Sequence, residues 1–185
     1  MGGEIRIIGG QWKRTRLAVP DKPGLRPTPD RVRETLFNWL GQSLEGWSCV
    51  DPFAGTGALG LEAASRGAAQ VHLVEQDADL VRALQATVQR LKATEQVHVQ
   101  RGDGVAALRN VPMASVDLVL LDPPFDANLF ETALRAARPA LRASGWLYLE
   151  SPQAWQEANL AALDYRLHRH LKAGAVHAHL LQPLS

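Results

Sequence analysis

Three acidic side chains stand at the ends of apolar segments that have the length of buried β-strands. Asp51 and Glu75 each close such a segment, and Asp122 closes the run at residues 116–122. In a parallel sheet the carboxyl ends of the strands meet at one edge, which is where α/β proteins bind their ligands. We therefore expect the three carboxylates to surround one site.

A glycine-rich turn follows the first of these acids. Gly55, Gly57 and Gly60 have the spacing G-x-G-x-x-G, and helix-forming residues come next. Glycine in a strand-to-helix turn permits a tight bend, a close approach of a ligand to the backbone and close packing of helix on strand. The turn, with Phe53 and Ala54 before it, predicts a nucleotide-type cofactor site.

The spacing of the acids bears on which cofactor binds. Glu75 lies 20 residues after Gly55, the separation at which an acid binds the ribose in dinucleotide-binding proteins, so NAD fits the spacing. Asp51 argues against NAD, because a carboxylate just before the turn would repel a pyrophosphate at the helix N-terminus. It suits the ammonium and sulfonium of S-adenosylmethionine, whose methionine end we assign to Asp51.

The remaining cofactor contacts are predicted from the ends of the second and third strands. Glu75, followed by Gln76, would accept hydrogen bonds from the ribose hydroxyls. Asp103, followed by Gly104, comes two residues after the third strand and would read the adenine amino group. Asp103 has an alternative role as the N-cap of the helix that follows it.

The tetrapeptide Asp122-Pro123-Pro124-Phe125 indicates the chemistry. Two prolines hold the backbone extended and remove two N–H donors, so the loop presents acceptors. Two acceptors aimed at an exocyclic amine would align its lone pair with a methyl carbon, while Phe125 stacks on the ring. We expect Asp122 to orient the amine and to take its proton, with the base moved out of its stack.

Composition sets the class of protein. The 185 residues are 46% hydrophobic and 21% charged, which is typical of a folded soluble domain. A single cysteine, Cys49, cannot form an internal disulfide, and no apolar run reaches the roughly 18 residues of a membrane span. The N-terminus does not have the pattern of a signal peptide. We expect a cytoplasmic protein.

The positive charge is concentrated at the N-terminus. Residues 1–33 carry a net charge of +5, whereas the whole chain carries +1. A basic segment on a near-neutral body favours nucleic acid as a partner, although a solvated surface hairpin has the same composition. Trp12 lies among the basic residues and either stacks on a base or anchors the hairpin. The predicted RNA-binding residues are Arg6, Trp12, Lys13, Arg14, Arg16, Arg26 and Arg31.

The order of elements predicts the fold. We expect strands at 48–53, 70–75, 97–101, 116–122 and 145–150, helices at 58–66, 77–92, 104–108, 128–141 and 153–162, and a closing antiparallel pair at 163–172 and 175–182. This alternation predicts an α/β fold with a doubly wound, mostly parallel seven-stranded sheet, an antiparallel C-terminal strand and a small N-terminal β-hairpin.

The segment before the first strand of the sheet is predicted to form an arm and a helix. Residues 1–27 form the basic hairpin arm and a linker, and residues 28–185 form the Rossmann-like domain. Thr28 is predicted as the N-cap of a helix with Pro29 at its first position. Val32 and Leu36 lie on its apolar stripe and Arg33 lies off it.

Four segments together resemble a known enzyme family. They are RIIGGQW near the start, LRPTPDRVRETLFNWL, DPFAGTGALGLEAASRGA and VDLVLLDPPF. The chain resembles the RsmD-type guanine-N2 methyltransferases of 16S ribosomal RNA. The resemblance implies methyl transfer from S-adenosylmethionine to the N2 amine of one guanine, at position 966 in the usual numbering. The expected partner is 16S rRNA in an assembled or assembling small subunit.

Other functions remain open at this stage. The same tetrapeptide occurs in adenine-N6 and glutamine-N5 methyltransferases, and a chain with this fold could bind rRNA as a non-catalytic assembly factor. An NAD-dependent oxidoreductase is disfavoured by Asp51. The alternating His168, His170, His177 and His179 could hold a metal or line one face of the sheet, and without a neighbouring cysteine or acidic cluster we expect no metal.

Overall fold

The computed structural model describes residues 3–125 and 128–185. A seven-stranded sheet forms its centre. The strands are β3 (Ser48–Asp51), β4 (Gln70–Glu75), β5 (Val97–Arg101), β6 (Val116–Leu121), β7 (Leu141–Ser151), β8 (Tyr165–Ala173) and β9 (Val176–Pro183). Their spatial order is β5-β4-β3-β6-β7-β9-β8. The pairs from β5 to β7 are parallel, and β9 is antiparallel to both of its neighbours. This confirms the predicted fold class.

Helices cover both faces of the sheet. They are α1 (Asp30–Trp39), α2 (Ala58–Ser65), α3 (Ala78–Arg90), α4 (Gly104–Arg109), α5 (Phe130–Ala137) and α6 (Glu157–Ala162). The central strands β3 and β6 are almost entirely buried, as their apolar runs predicted. One core cluster lies under α1, α2 and α3, and the other lies under α4, α5 and α6. No helix in the described parts of the chain is long and apolar enough to span a bilayer.

The predicted N-terminal hairpin is present and packs against the domain. Strands β1 (Gly3–Arg6) and β2 (Arg16–Val19) pair antiparallel. Ile7 and Leu17, one in the turn region and one in β2, are each 1% exposed and belong to the same core cluster as α1 and α2. The hairpin is therefore joined to the sheet domain by apolar packing as well as by the chain.

The start of α1 differs from the prediction. Pro29 occupies the cap position, and the hydroxyl of Thr28 donates to Glu150 instead of capping the helix. At its other end α1 stops at Trp39, and Gly41 follows Leu40 with φ of +92°, a conformation that glycine adopts without steric cost.

Arg33 was expected outside the buried stripe and is instead fully buried. Its Nη1 donates to the Arg6 carbonyl at 3.0 Å and to Glu62 Oε1 at 3.3 Å. Its remaining donors reach the carbonyl of Thr28 and the carboxylate of Asp30. A guanidinium has five N–H groups, so it can be buried where so many acceptors converge.

Two helices in the C-terminal part of the chain have different boundaries from those predicted. The helix predicted at 128–141 ends as α5 at Ala137, and after a short 3₁₀ turn β7 already begins at Leu141. Pro139 lies in that turn and cannot donate to a helical carbonyl. The early part of β7 contains a register shift opposite β6. The helix predicted at 153–162 is shorter and begins only at Glu157, while the backbone N–H of Trp155 before it donates to His179.

Candidate active site

The sheet brings the predicted acids to one edge. β4, β3 and β6 are consecutive neighbours in the sheet, and Glu75, Asp51 and Asp122 lie at their carboxyl ends. The registers and the alternation of side chains put the three on one face, above the core cluster of α1, α2 and α3. The three carboxylates therefore lie at neighbouring strand ends on one face of the sheet.

Asp51 is almost completely buried and incompletely satisfied. Its Oδ2 accepts from the backbone N–H of Gly60 at 3.1 Å, and its Oδ1 has no hydrogen-bond partner among the described residues. Burial raises the pKa of Asp51 to about 7, and the charges of Glu75 and Glu150 act in the same direction. A buried carboxylate oxygen without a donor is suited to receiving a cationic ligand group.

The backbone of the glycine turn lies in close contact with strand β4. A Cβ on Gly60 would lie 2.2 Å from Leu73 Cδ2, and Gly57 has φ of +83°. Gly55 donates its N–H to Glu75 Oε1 at 3.1 Å, and Ala54 donates to the Val74 carbonyl at 2.9 Å. The turn is thus fastened to the end of β4, beside Asp51.

Glu75 holds backbone groups with both carboxylate oxygens. Besides Gly55, it accepts from the N–H of Asp77 at 2.8 Å. Asp77 in turn caps α3 by accepting from Asp79 and Leu80, and it forms an ion pair with Lys22 at 3.0 Å. Glu75 is half-buried, so its oxygens border the cleft while they fix the turn.

Asp103 and its neighbours form the far side of the cleft. Asp103 Oδ2 accepts from Ala106 N–H at 2.9 Å, which is the helix cap weighed as the alternative, and Oδ1 accepts from Gln76 Nε2 at 3.4 Å. A Cβ on Gly104 would lie 2.2 Å from the Pro52 carbonyl, so glycine permits α4 to begin directly against the turn. The structure therefore brings Gln76, Asp103 and Gly104 to the same mouth as Asp51.

The Asp-Pro-Pro-Phe segment follows β6 at the centre of this edge. Pro123 is buried, whereas Pro124 is exposed and Phe125 has 42% of its surface exposed. The rings of Phe125 and Phe130 lie 6.2 Å apart with an interplanar angle of 48°. Phe125 thus presents an aromatic face to solvent that a flat ligand ring could stack on.

Asp122 lies in a negative environment. Burial raises its pKa well above the usual value for aspartate, and the charges of Glu150 and then Asp51 raise it further. A carboxylate with raised proton affinity at the mouth of a cleft can accept a proton from a neutral or cationic donor.

Three residues of this edge were not predicted as site residues. Glu150, near the end of β7, is 4% exposed, and its Oε2 accepts from Thr28 Oγ1 at 2.6 Å and from Tyr148 OH at 3.0 Å. Glu150 closed the predicted strand at 145–150, so the rule that selected Asp51, Glu75 and Asp122 could have selected it. Thr28 and Tyr148 carry no such signal, because their role depends on contacts distant in sequence.

The predicted RNA-binding residues lie on the hairpin, the linker and α1. Six of them, Arg6, Lys13, Arg14, Arg16, Arg26 and Arg31, are exposed. Trp12 is half-buried and packs against the core cluster of α1, α2 and α3. It therefore anchors the hairpin to the domain, which is one of the two roles considered for it. Whether these residues contact RNA remains a prediction.

The turn of the hairpin is bonded to α2. Glu62, which is fully buried, accepts from the N–H groups of Ile8 at 2.8 Å and Gly9 at 2.9 Å. Ser65 Oγ accepts from Trp12 N–H at 3.0 Å, and a Cβ on Gly10 would lie 1.9 Å from the Ser65 carbonyl oxygen. The basic residues of the turn are therefore held in one place relative to the cleft.

The C-terminal histidines lie on the antiparallel pair. His179 is buried, accepts from Trp155 N–H at 3.0 Å through Nε2 and has Nδ1 3.2 Å from the Leu149 carbonyl, and burial lowers its pKa to about 4. His170 and His177 share a contact of 2.8 Å between ring nitrogens. Across residues 3–125 and 128–185 no three His, Cys, Asp or Glu side chains are arranged to hold a metal.

Comparison with known proteins gives the family. The family model described as Conserved hypothetical protein 95 matches residues 5–182. Ribosomal RNA small subunit methyltransferase D of Escherichia coli K12 is 42% identical over 187 residues, covering 97% of this chain and 90% of that protein. The protein of the same name from Haemophilus influenzae is 39% identical over 184 residues, covering 90% and 94%. The solved structure of yhhF from Escherichia coli has a TM-score of 0.82, with 39% identity over 99% of both chains. The chain therefore belongs to the Conserved hypothetical protein 95 family, the RsmD family.

Proposed function

We propose that this chain is an rRNA methyltransferase that transfers a methyl group from S-adenosylmethionine to the exocyclic N2 amine of a guanine, position 966 of 16S rRNA, in the small ribosomal subunit. The observation that carries the proposal is the position of Asp122, at the start of an Asp-Pro-Pro-Phe segment and beside the buried Asp51. The names of the relatives support rRNA as the substrate class.

The residues of the cleft fit S-adenosylmethionine. The unpartnered Oδ1 of Asp51 provides an acceptor for the amino group of the cofactor's methionine part. Glu75 and Gln76 border the place for the ribose, and Asp103 and Gly104 border the place for the adenine. When bound, the cofactor supplies an electrophilic methyl group on a sulfonium.

The chain's own residues would prepare the amine. Asp122 and a proline carbonyl accept from the two N–H groups of the amine, which turns its lone pair toward the methyl carbon. Phe125 stacks on the guanine ring, and the base leaves its stack to reach the segment. Asp122 then takes the amine proton and returns it to solvent. Because the substrate is the small subunit, we expect the protein to act in the cytoplasm.

The surface for RNA is the exposed basic set on the hairpin and its linker. Lys13 and Arg14 lie on a turn that is bonded to α2, and Arg31 lies in the first turn of α1. Cationic side chains there would bind phosphates around the target base and hold the RNA over the Asp-Pro-Pro-Phe mouth.

The test is methyl transfer from labelled S-adenosylmethionine to small subunits that lack the modification and, separately, to naked 16S RNA. Mass spectrometry of the nucleosides should show N2-methylguanosine. The matched variant Asp122→Asn keeps the size of the side chain, and we expect it to lose at least about 100-fold in rate while its affinity for the cofactor changes little.

The outcomes separate the competing functions. N6-methyladenosine or methylated glutamine in protein would replace the guanine assignment while preserving the cofactor. An Asp122→Asn variant with wild-type rate would contradict the proposed role of Asp122. Binding of rRNA without any methyl transfer would favour a non-catalytic assembly factor.

A further inference from the structure

A second carboxylate lies beside Asp122 on the neighbouring strand. The register of β6 and β7 pairs Leu121 with Leu149, and the next positions along the two strands are Asp122 and Glu150. Paired residues of parallel strands point to the same face of the sheet. The two carboxylates therefore face the same cleft, and one of them, Glu150, is 4% exposed.

Glu150 is held by two hydroxyl groups. Thr28 Oγ1 donates to its Oε2 at 2.6 Å and Tyr148 OH donates at 3.0 Å. Thr28 is 3% exposed and Tyr148 is fully buried, so water does not compete freely for these bonds. Burial raises the pKa of Glu150 above its usual value, and the two hydrogen bonds oppose that rise without cancelling it. The bonds thus favour a charged carboxylate at a fixed position.

We propose that Glu150 is a positioning residue that keeps a negative charge beside Asp122 and so makes Asp122 the better proton acceptor. This inference rests on the proposed methyl transfer. As the amine nitrogen forms its bond to the methyl carbon, the carbon–sulfur bond breaks and the sulfonium becomes a neutral thioether. The nitrogen then carries the positive charge and releases one proton, which passes to the Asp122 carboxylate and on to water. Glu150 exchanges no atom in this sequence.

The electrostatics around Asp122 agree with this role. The charge of Glu150 is the largest influence on the raised pKa of Asp122 after burial itself. The other ionisable groups that face this cluster from the sheet are Asp51, Glu75 and Tyr148. On the side of the linker and α1, Arg33 donates to the Thr28 carbonyl and pairs with Glu62. His179, on the adjacent β9, bonds to the Trp155 N–H and lies on the opposite face.

The direct test is titration of the Asp122 carboxyl by ¹³C NMR in the cofactor-free protein. Glu150→Gln removes the charge, nearly preserves the volume and keeps an oxygen that can accept from Thr28. Loss of a negative neighbour favours the ionised form of Asp122, so its pKa should fall by about one unit, a tenfold loss in proton affinity. The acidic limb of the kcat profile should move to lower pH by a similar amount, with KM for RNA unchanged.

Two further variants separate charge from shape. Glu150→Asp retains a charge and should restore part of the wild-type Asp122 pKa. Thr28→Val removes one donor, which makes Glu150 easier to protonate, and it should lower the Asp122 pKa by less than Glu150→Gln does. Thermal melting establishes whether each variant is folded. If Glu150→Gln does not fold, the Asp122 pKa in Thr28→Val decides whether Glu150 acts on Asp122.

The result that overturns the inference is an Asp122 pKa within about 0.3 unit of the wild-type value in Glu150→Gln. An unchanged acidic limb in a folded, active Glu150→Gln variant would also overturn it. If the wild-type protein methylates no RNA, the proposed function fails instead, and the NMR titration still decides whether Glu150 sets the proton affinity of Asp122.

Discussion

The buried Asp51 predicts a stability that depends on pH in an unusual direction. Burial raises its pKa from 3.8 to about 7, so the folded chain holds a proton at this site that the unfolded chain has already released. Between these two values the folded state binds more protons, and the free energy of unfolding therefore falls as pH rises. A shift of about three units corresponds to about 4 kcal/mol as an upper bound.

The variant that isolates this effect is Asp51→Asn. The amide oxygen can still accept from Gly60 N–H, while the charge that burial disfavours is removed. Relative to wild type, Asp51→Asn should gain about 2–4 kcal/mol in free energy of unfolding between pH 4 and pH 8. Urea denaturation of the cofactor-free proteins at a series of pH values measures the difference directly.

The matched control is Asp103→Asn, which removes the same charge at an exposed helix cap. Asparagine caps a helix about as well as aspartate, so this variant reports what the loss of one charge does at an exposed position. The reasoning is refuted if the Asp51→Asn difference stays constant within about 0.5 kcal/mol across the range. We also expect Asp51→Asn to bind S-adenosylmethionine more weakly than wild type, because the charged acceptor for the amino group of the cofactor is lost.

The remaining predictions concern the hairpin. Changing Lys13, Arg14 and Arg16 to alanine should weaken RNA binding and reduce the slope of log K against log salt concentration by about 2, measured by filter binding or fluorescence anisotropy. Gly10→Ala should release the turn from α2, because the new Cβ would lie 1.9 Å from the Ser65 carbonyl oxygen and the backbone has φ of +77°. Limited proteolysis should then cut the turn faster than in wild type.

Each of these has its own check. The control for RNA binding lies on β8, the edge strand beside β9, where Arg166, Arg169 and Lys172 are exposed. Changing these three residues to alanine removes three positive charges, as the hairpin variant does. If that triple variant lowers the salt slope as much as the hairpin variant, the RNA surface is not the hairpin. For the turn, Gly24→Ala is the control, since it also has positive φ but no atom within 4 Å of a new Cβ. Equal protease sensitivity of the two would contradict the argument from Ser65.

The edge of the sheet that carries the candidate site could be predicted from the sequence because the relevant signals are local. Asp51, Glu75 and Asp122 each follow an apolar run, and in a parallel sheet the ends of such runs must converge. The parallel order itself follows from alternating strands and helices, and it was confirmed. Glu150 satisfies the same local rule, but neither a loop motif after it nor a spacing from the glycine turn singles it out.

The buried polar contacts could not be predicted in the same way. Helical periodicity placed Arg33 outside the apolar stripe of α1, yet it is buried because acceptors from β1, from the linker and from α2 surround it. Thr28 has the composition of a helix cap, but its hydroxyl bonds to Glu150, 122 residues away in sequence. Such partners are known only once the sheet and helices are assembled.

The bonded turn of the hairpin has a thermodynamic consequence. Because Glu62 and Ser65 already fix the backbone from Ile8 to Trp12, the conformational entropy of this segment is lost when the protein folds and not when a ligand arrives. A ligand that docks there meets a surface that is already ordered. Its association should therefore show a small change in heat capacity, without the large negative value that accompanies folding of a disordered arm on its target.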